Sequence, residues 1–283
     1  MIQTKQKLLT VGILFLLVLM IVSVNGFHKA KYVVSRDIET VGELEHTILG
    51  GVVGRMPDNS AKILFESLLG VKLSGYQSYN DVYETLSALR QDEIQAAWFP
   101  DVTVRYLLSI EEGLKEILPK LHTQRQLEFG MALKSDHMTL RDELNDALKS
   151  LVDQGILANL QETYIEQAAI AERFTQDDLE TDEYEKKLTV GITGAVWPIE
   201  LMDLEQNPYG FSVALMNEIG KLMHRKIEFV TLQNDTAFSS LMGGKVDLLF
   251  CYGTSQSTVT DAKNYIMTNG YYTMNEYSYL VLE

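Results

Sequence analysis

Cysteine is nearly absent. Cys251 is the single cysteine in 283 residues, which excludes an internal disulfide and any cysteine-based zinc site. It lies in an apolar run and reads as a small buried hydrophobe rather than a nucleophile. The five histidines, His28, His46, His122, His137 and His224, show no H-E-x-x-H or Cys/His ligand spacing, so no metal centre is expected. Positive charge is scarce: 24 lysines and arginines face 39 aspartates and glutamates, for a net charge of −15. That balance argues against a nucleic-acid partner, which demands a basic face, and in favour of a solubilising acidic surface. No G-x-S-x-G elbow is present, and Gly50, Gly51 and Gly54 form too short a cluster, without a following Lys-Ser or Lys-Thr, for a phosphate loop. No catalytic residue and no cofactor is assigned, and the chain reads as a non-enzyme.

Long apolar runs are limited to one, Leu8 to Val24, preceded by Lys5 and Lys7. Its length sits at the lower limit for a membrane-spanning helix and slightly above a signal-peptide core. Residues 1–27 are therefore expected to be a signal peptide or a membrane anchor. Val24-Asn25-Gly26 offers a small-residue cleavage site, but there is no Ala-x-Ala and no lipobox cysteine, which leans toward an uncleaved anchor. Lys29, Lys31 and Arg36 balance Lys5 and Lys7, so the flanking charges fix no orientation.

What remains is long enough for two units and, at 46% hydrophobic, apolar enough to give each a core. Leu188 to Ile192 is a short β-rich run followed by a Trp197-Pro198 corner. After the turn Gln206 to Gly210, apolar residues at Phe211, Val213, Leu215, Met216, Ile219, Leu222 and Met223 mark one helical face. Lys226 to Leu232 reads as a strand, Asp235 to Met242 as a helix and Lys245 to Tyr252 as a strand, the rhythm of an open parallel α/β sheet.

The earlier region repeats this pattern. A strand ending in glycine runs through Gly50 to Gly54, and Pro57 opens a helix to Leu69 with Asp58, Asn59 or Ser60 as N-cap. Val82 to Leu89 is a helix, Glu93 to Phe99 a strand and Val102 to Leu108 a helix. Leu89 to Trp98 echoes Leu241 to Phe250, each a helix end, a polar turn and a strand at one spacing, so two similar α/β halves are implied. Leu127 to Leu133 is a strand, and Leu140 to Tyr164 two helices broken near Gln154-Gly155. Residues 166–186 are polar and acidic and read as a solvated linker.

The order of these motifs resembles the family 3 extracellular solute-binding proteins. The turn before Pro198, then G-F-S-V-A-L-M-N-E-I, S-L-M-G-G-K-V-D-L-L, a Thr-rich loop and N-G-Y-Y look like that family's first lobe. The run from Leu140 to Tyr164 is similar to its closing helices. The resemblance implies an α/β, two-lobed, periplasmic-binding-protein-like (type 2) fold with sheets flanked by helices, and the apolar run Leu8 to Val24 adds an N-terminal transmembrane or signal helix ahead of them. Its lobes come in reversed order: residues 28–165 as second lobe with closing helices, 166–186 as linker and 187–283 as first lobe. Tyr32 to Ser35 resembles the crossover strand entering the second lobe. A circular permutant, a swapped dimer and a fragment of a tandem receptor all fit this order.

By the same resemblance, the ligand is a small polar solute, amino-acid-like or a small carboxylate, clamped between lobes at the outer face of a membrane or in the periplasm. An ABC permease or a signalling output domain is the implied partner. Thr254, Ser255 and Thr258 are candidate hydroxyl contacts, and Trp197 and Tyr252 candidate aromatic walls. Asn59 and Ser60 match the anion-binding helix start. Asp101 lies near the amine-binding Asp, a position that falls on Pro100 if the register slips by one. The family's carboxylate-pairing Arg falls on Val259 or Asp261 here, with Lys263 the nearest cation. That departure leaves two alternatives open: a degenerate partner-contact domain of a signalling receptor, and a small-acid dehydratase-like enzyme on the same fold.

Overall fold

Each of the two α/β stretches folds into the same unit. The computed structural model describes residues 37–52, 57–255 and 264–283. The apolar run from Leu8 to Val24, the expected strand at Tyr32 to Ser35, Gly54, and the loop carrying Thr258, Val259, Asp261 and Lys263 lie outside the described residues. Among the described residues, no helix is long and apolar enough to cross a membrane.

The N-proximal lobe begins with β1 (Ile48–Val52), α1 (Asp58–Leu69), β2 (Gly75–Tyr79), α2 (Val82–Arg90), β3 (Ala96–Pro100) and α3 (Asp101–Ile110). β1 lies between β2 and β3 and is parallel to both. A long strand, β4 (Leu114–Lys134), then leaves this lobe, and α4 (Met138–Asp153) and α5 (Ile156–Gln161) follow it. Between these helices Gly155 adopts φ 72°, a left-handed conformation that only glycine takes without strain, so the chain breaks there.

The C-proximal lobe starts at β5 (Lys187–Ile192), passes the small β6 (Leu201–Met202) and β7 (Pro208–Tyr209) ribbon, and continues as α6 (Phe211–Met223), β8 (Lys226–Thr231), α7 (Asn234–Met242) and β9 (Leu248–Ser255). Here β5 lies between β8 and β9, parallel to both, which is the same arrangement as in the first lobe. The repeat seen at Leu89 to Trp98 and Leu241 to Phe250 is the α2–β3 and α7–β9 junction: each strand begins six positions after its helix ends.

After β9 come β10 (Tyr265–Met267) and β11 (Tyr272–Leu282). β11 runs antiparallel to β4 for most of its length, from Tyr272 opposite Phe129 to Leu282 opposite Leu114. At one end β11 also pairs with β3, and at the other β4 pairs with β9. This antiparallel pair therefore stitches the two parallel units into one sheet of order β2-β1-β3-β11-β4-β9-β5-β8, with β10 on β4. Two lobes joined by two crossing strands is the connection a two-lobed α/β clamp requires.

The core explains why α6 is apolar around most of its circumference. Leu215, Met216 and Ile219 pack with Leu188, Val190 and Leu248 of the sheet, and with Leu144, Leu148 and Leu151 of α4. The closing helices thus cover the C-proximal lobe although the N-proximal lobe precedes them in the chain. Arg225 Nη2 donates to Glu143 Oε2 at 2.6 Å and ties the α6 end to α4.

Several local expectations are corrected. The N-cap of α1 is Pro57, in extended geometry and with no side-chain cap. Asp58 lies in the first turn, where its carboxylate accepts from the Ser78 hydroxyl at 2.5 Å. β2 and the first half of β4 had no clear sequence signal, since Pro119 and several charges interrupt the apolar pattern there. Residues 166–186 are not simply solvated: Phe174 carbonyl accepts from Gly210 N–H at 2.7 Å, and the buried Thr181 hydroxyl accepts from Ile227 N–H at 3.2 Å.

Candidate functional site

Parallel strands present their carboxyl ends to a crevice, and in open α/β sheets that crevice is where ligands bind. Here the strand ends of both lobes face one cleft of about 630 Å³. Val52 of β1 and Phe99 and Pro100 of β3 line it from one lobe. Gly191 of β5, Thr193, and Cys251, Tyr252 and Gly253 of β9 line it from the other. The crossing strands contribute Leu127, Phe129 and Tyr277.

Two aromatic pairs flank this space. Trp98 and Tyr277, both half-buried, sit with ring centroids 4.9 Å apart on the N-proximal side. The Trp98 indole N–H donates to Tyr76 Oη at 2.7 Å, so its polar edge is already satisfied. Backbone approach makes room for this ring: a Cβ on Gly51 would meet Trp98 Nε1 at 2.3 Å. Opposite, Phe238 and Tyr252 stack at 6.4 Å and 26°.

The polar lining on the C-proximal side is acidic. Glu200 is 1% exposed, and its carboxyl accepts from the Thr193 hydroxyl at 3.0 Å and from Ala195 N–H at 3.2 Å. Burial pushes its pKa up to about 7, against the opposing effect of those hydrogen bonds and of one from Cys251 N–H. The Cys251 thiol is pushed up by burial and by the nearby Glu200 charge, which suits an inert side chain. Asp235 and Asn234 open α7 and also line the cleft. No Lys or Arg does so among the described residues.

Residues 188–282 match the family model of bacterial extracellular solute-binding proteins, family 3. The family 3 resemblance is shown. It covers about a third of the chain, the C-proximal lobe with β10 and most of β11. No curated protein sequence matches this chain. Among solved structures, similarity extends to the arginine-bound, truncated ArgBP of T. maritima, at 11% identity and TM-score 0.43 over 86% of this chain and 91% of that one. The GluR0 ligand-binding core complexed with L-glutamate has 11% identity and TM-score 0.42, covering 86% of each chain. The zinc-bound ligand-binding component of an ABC-type import system from Staphylococcus aureus has 9% identity and TM-score 0.42 over 84% of this chain, which spans 66% of that protein.

The residues expected from the family 3 pattern are not all brought together. Tyr252 lines the cleft, as does Pro100. Thr254 and Ser255 continue β9 beyond Gly253, and Thr258 lies outside the described residues. Asn59 and Ser60 are exposed in the first turn of α1 and do not line the cleft. Asp101 is engaged by two cations, Lys120 Nζ at 2.5 Å and Arg105 Nε at 3.1 Å, and does not line the cleft either.

Trp197 is also absent from the cleft lining. It is 4% exposed and packs edge-on against Tyr83 of α2, at 4.5 Å, and Tyr106 of α3, at 6.1 Å. It therefore belongs to the apolar core of the N-proximal lobe, carried there by a loop of the C-proximal lobe. Packing explains this aromatic, where the sequence pattern points to a ligand wall.

Cleft residues that sequence reasoning missed are Trp98, Tyr277, Asp235, Phe238 and Glu200. A signal existed for two of them. Trp98 lies in an apolar strand at the place Phe250 holds in the repeat, and Glu200 is the lone charge in the apolar run from Gly194 to Met202.

Proposed function

We propose that the protein binds a small solute in the cleft between its lobes, outside the cytoplasm, and acts by lobe movement rather than covalent chemistry. The observation that carries this reading is one cleft of about 630 Å³ lined by the strand ends of both lobes and by the strands that join them. A space of that size with mostly apolar walls and a few polar groups is typical of small-molecule sites. A ligand touching both lobes favours the arrangement in which both reach it, by its differential affinity for that state.

On this reading residues 28–165 supply one lobe and the closing helices, 166–186 a connector and 187–283 the other lobe, with 1–27 a signal peptide or membrane anchor. A retained anchor would favour a sensor coupled to a signalling output, and a cleaved one a transport-associated protein serving an ABC permease. N-terminal sequencing of the mature protein decides between them: cleavage near Gly26 removes the anchored-sensor form. Binding itself is tested by thermal unfolding of the full chain against a panel of amino acids, amines and small carboxylates. A compound that binds only the folded state must raise the transition temperature, and a transition unmoved by every compound would sink the proposal.

One observation favours a second reading, a partner-contact domain that clamps no solute. Trp197 is buried across the lobe boundary, which resists opening. Solution scattering with and without ligand separates the two readings, because a fixed body keeps one radius of gyration throughout.

A further inference from the structure

We infer that the solute is an organic cation with a flat aromatic body, its rings taken between the Trp98–Tyr277 and Phe238–Tyr252 pairs and its positive charge turned toward Asp235 and Glu200. This rests on the solute-binding reading above and names the ligand class of that cleft.

Three features lead there. Half-buried aromatic side chains line the cleft from both of its sides, and their ring faces carry negative quadrupole potential that favours flat rings and cations alike. Next, Asp235 and Phe238 stand three residues apart on α7, so a carboxylate and a ring share one helix face. A ligand stacked on Phe238 thus meets a carboxylate one turn away. Finally, Glu200 is buried against the same cleft, hydrogen-bonded to Thr193 and Ala195, and neither it nor Asp235 is in an ion pair among the described residues. A buried carboxyl without a counter-ion gains most from a cation delivered to its side of the cleft. The bland alternative, that Glu200 only braces the loop after β5, explains its hydrogen bonds but not Asp235 and the aromatic pairs around the same space.

The test is calorimetric titration of the full chain with three probes sharing one ring: tryptamine, which carries only the ammonium, indole-3-propionate, which carries only the carboxylate, and tryptophan, which carries both. Tryptamine is expected to bind most tightly and indole-3-propionate least. Asp235→Asn is expected to weaken tryptamine about tenfold, the size of one partly solvated charge contact. Asp235 is exposed, so this variant keeps the fold where Glu200→Gln disturbs a buried network. Buffers of different ionisation enthalpy add an independent readout, since a cation drawn to Glu200 near neutral pH expels its proton and makes the heat buffer-dependent.

Indole-3-propionate binding as tightly as tryptamine, or tryptamine binding unmoved by Asp235→Asn, overturns the ligand class while leaving a solute clamp in place. Binding of non-aromatic solutes alone does the same. If neither these probes nor the wider solute panel binds, the solute-binding reading fails and this inference fails with it.

Discussion

The Thr103 hydroxyl donates to the carbonyl oxygen of Trp197 at 2.6 Å, from α3 of one lobe to a loop of the other. Both residues are buried, Thr103 fully. The Tyr83 hydroxyl donates to the Met202 carbonyl of β6 at 3.3 Å, so the segment from Trp197 to Met202 is gripped twice. Thr103→Val removes the donor and leaves a buried carbonyl without a partner, a loss of about 1–3 kcal/mol. Urea unfolding should show that loss, and Thr103→Ser, which keeps the donor, should recover most of it.

Trp197 itself should contribute more. Its ring fills the space between Tyr83 and Tyr106, and truncating a buried aromatic to Ala costs about 3–5 kcal/mol. An aromatic of this kind buries about 150–250 Å², which at about 25 cal/mol per Å² holds the lobes together by several kcal/mol. Trp197→Ala is expected both to unfold at lower denaturant and to populate an opened form with a larger radius of gyration in solution scattering. An unchanged radius would mean that β4 and β11 alone fix the lobes.

Glu200 gives a pH dependence whose sign follows from burial. Its folded pKa is about 7 against the usual value of 4.5, so between these values the folded protein keeps a proton that the unfolded chain releases. Stability from this group therefore falls as pH rises from about 4.5 to about 7 and levels off above. The expected change is roughly 3 kcal/mol. Glu200→Gln should flatten that part of the stability–pH profile, and a profile identical to the parent's would refute the assignment.

Gly51 controls the Trp98 wall. A methyl group there would fall 2.3 Å from Trp98 Nε1 and 2.9 Å from the Tyr76 hydroxyl, forcing both rings to move. Gly51→Ala is expected to cost about 1–3 kcal/mol by overpacking and to shift Trp98 emission in a Trp197→Phe background. Gly75 provides the control, since its added Cβ would meet Ile48 only at ordinary contact distance, 3.6 Å. Gly75→Ala should stay within about 0.5 kcal/mol of the parent.

Much of the fold was legible because its signals are local. Apolar spacing on α6 and the Gly155 break between α4 and α5 are written in contiguous residues, and the α2–β3 and α7–β9 junctions repeat at one spacing. β2 was not legible, since Gly75–Tyr79 is half-buried except at the exposed Gln77, with no alternation to read. The first half of β4 is held by pairing to β11, more than a hundred residues later in the chain, and such partners leave no local trace.

The site was legible only where it coincides with a strand end. Tyr252 follows directly from β9, whereas Trp98, which matches Phe250 in the repeat, was not singled out by its sequence position. Asp101 had the residue type expected of an amine contact, yet Lys120 and Arg105 reach it first.

The sequence by itself determined two α/β units, their order along the chain and a family 3 character in the second, because helical and strand periodicity and turn chemistry act over a few residues. Only the tertiary structure decided which side chains share the cleft. Trp197 went to a core because its ring found apolar space against Tyr83 and Tyr106 of the opposite lobe. Trp98 became a wall because Phe65 of its own lobe and Tyr277 of β11 hold its ring at the cleft. Both settings exist only once β4 and β11 have brought the two lobes together.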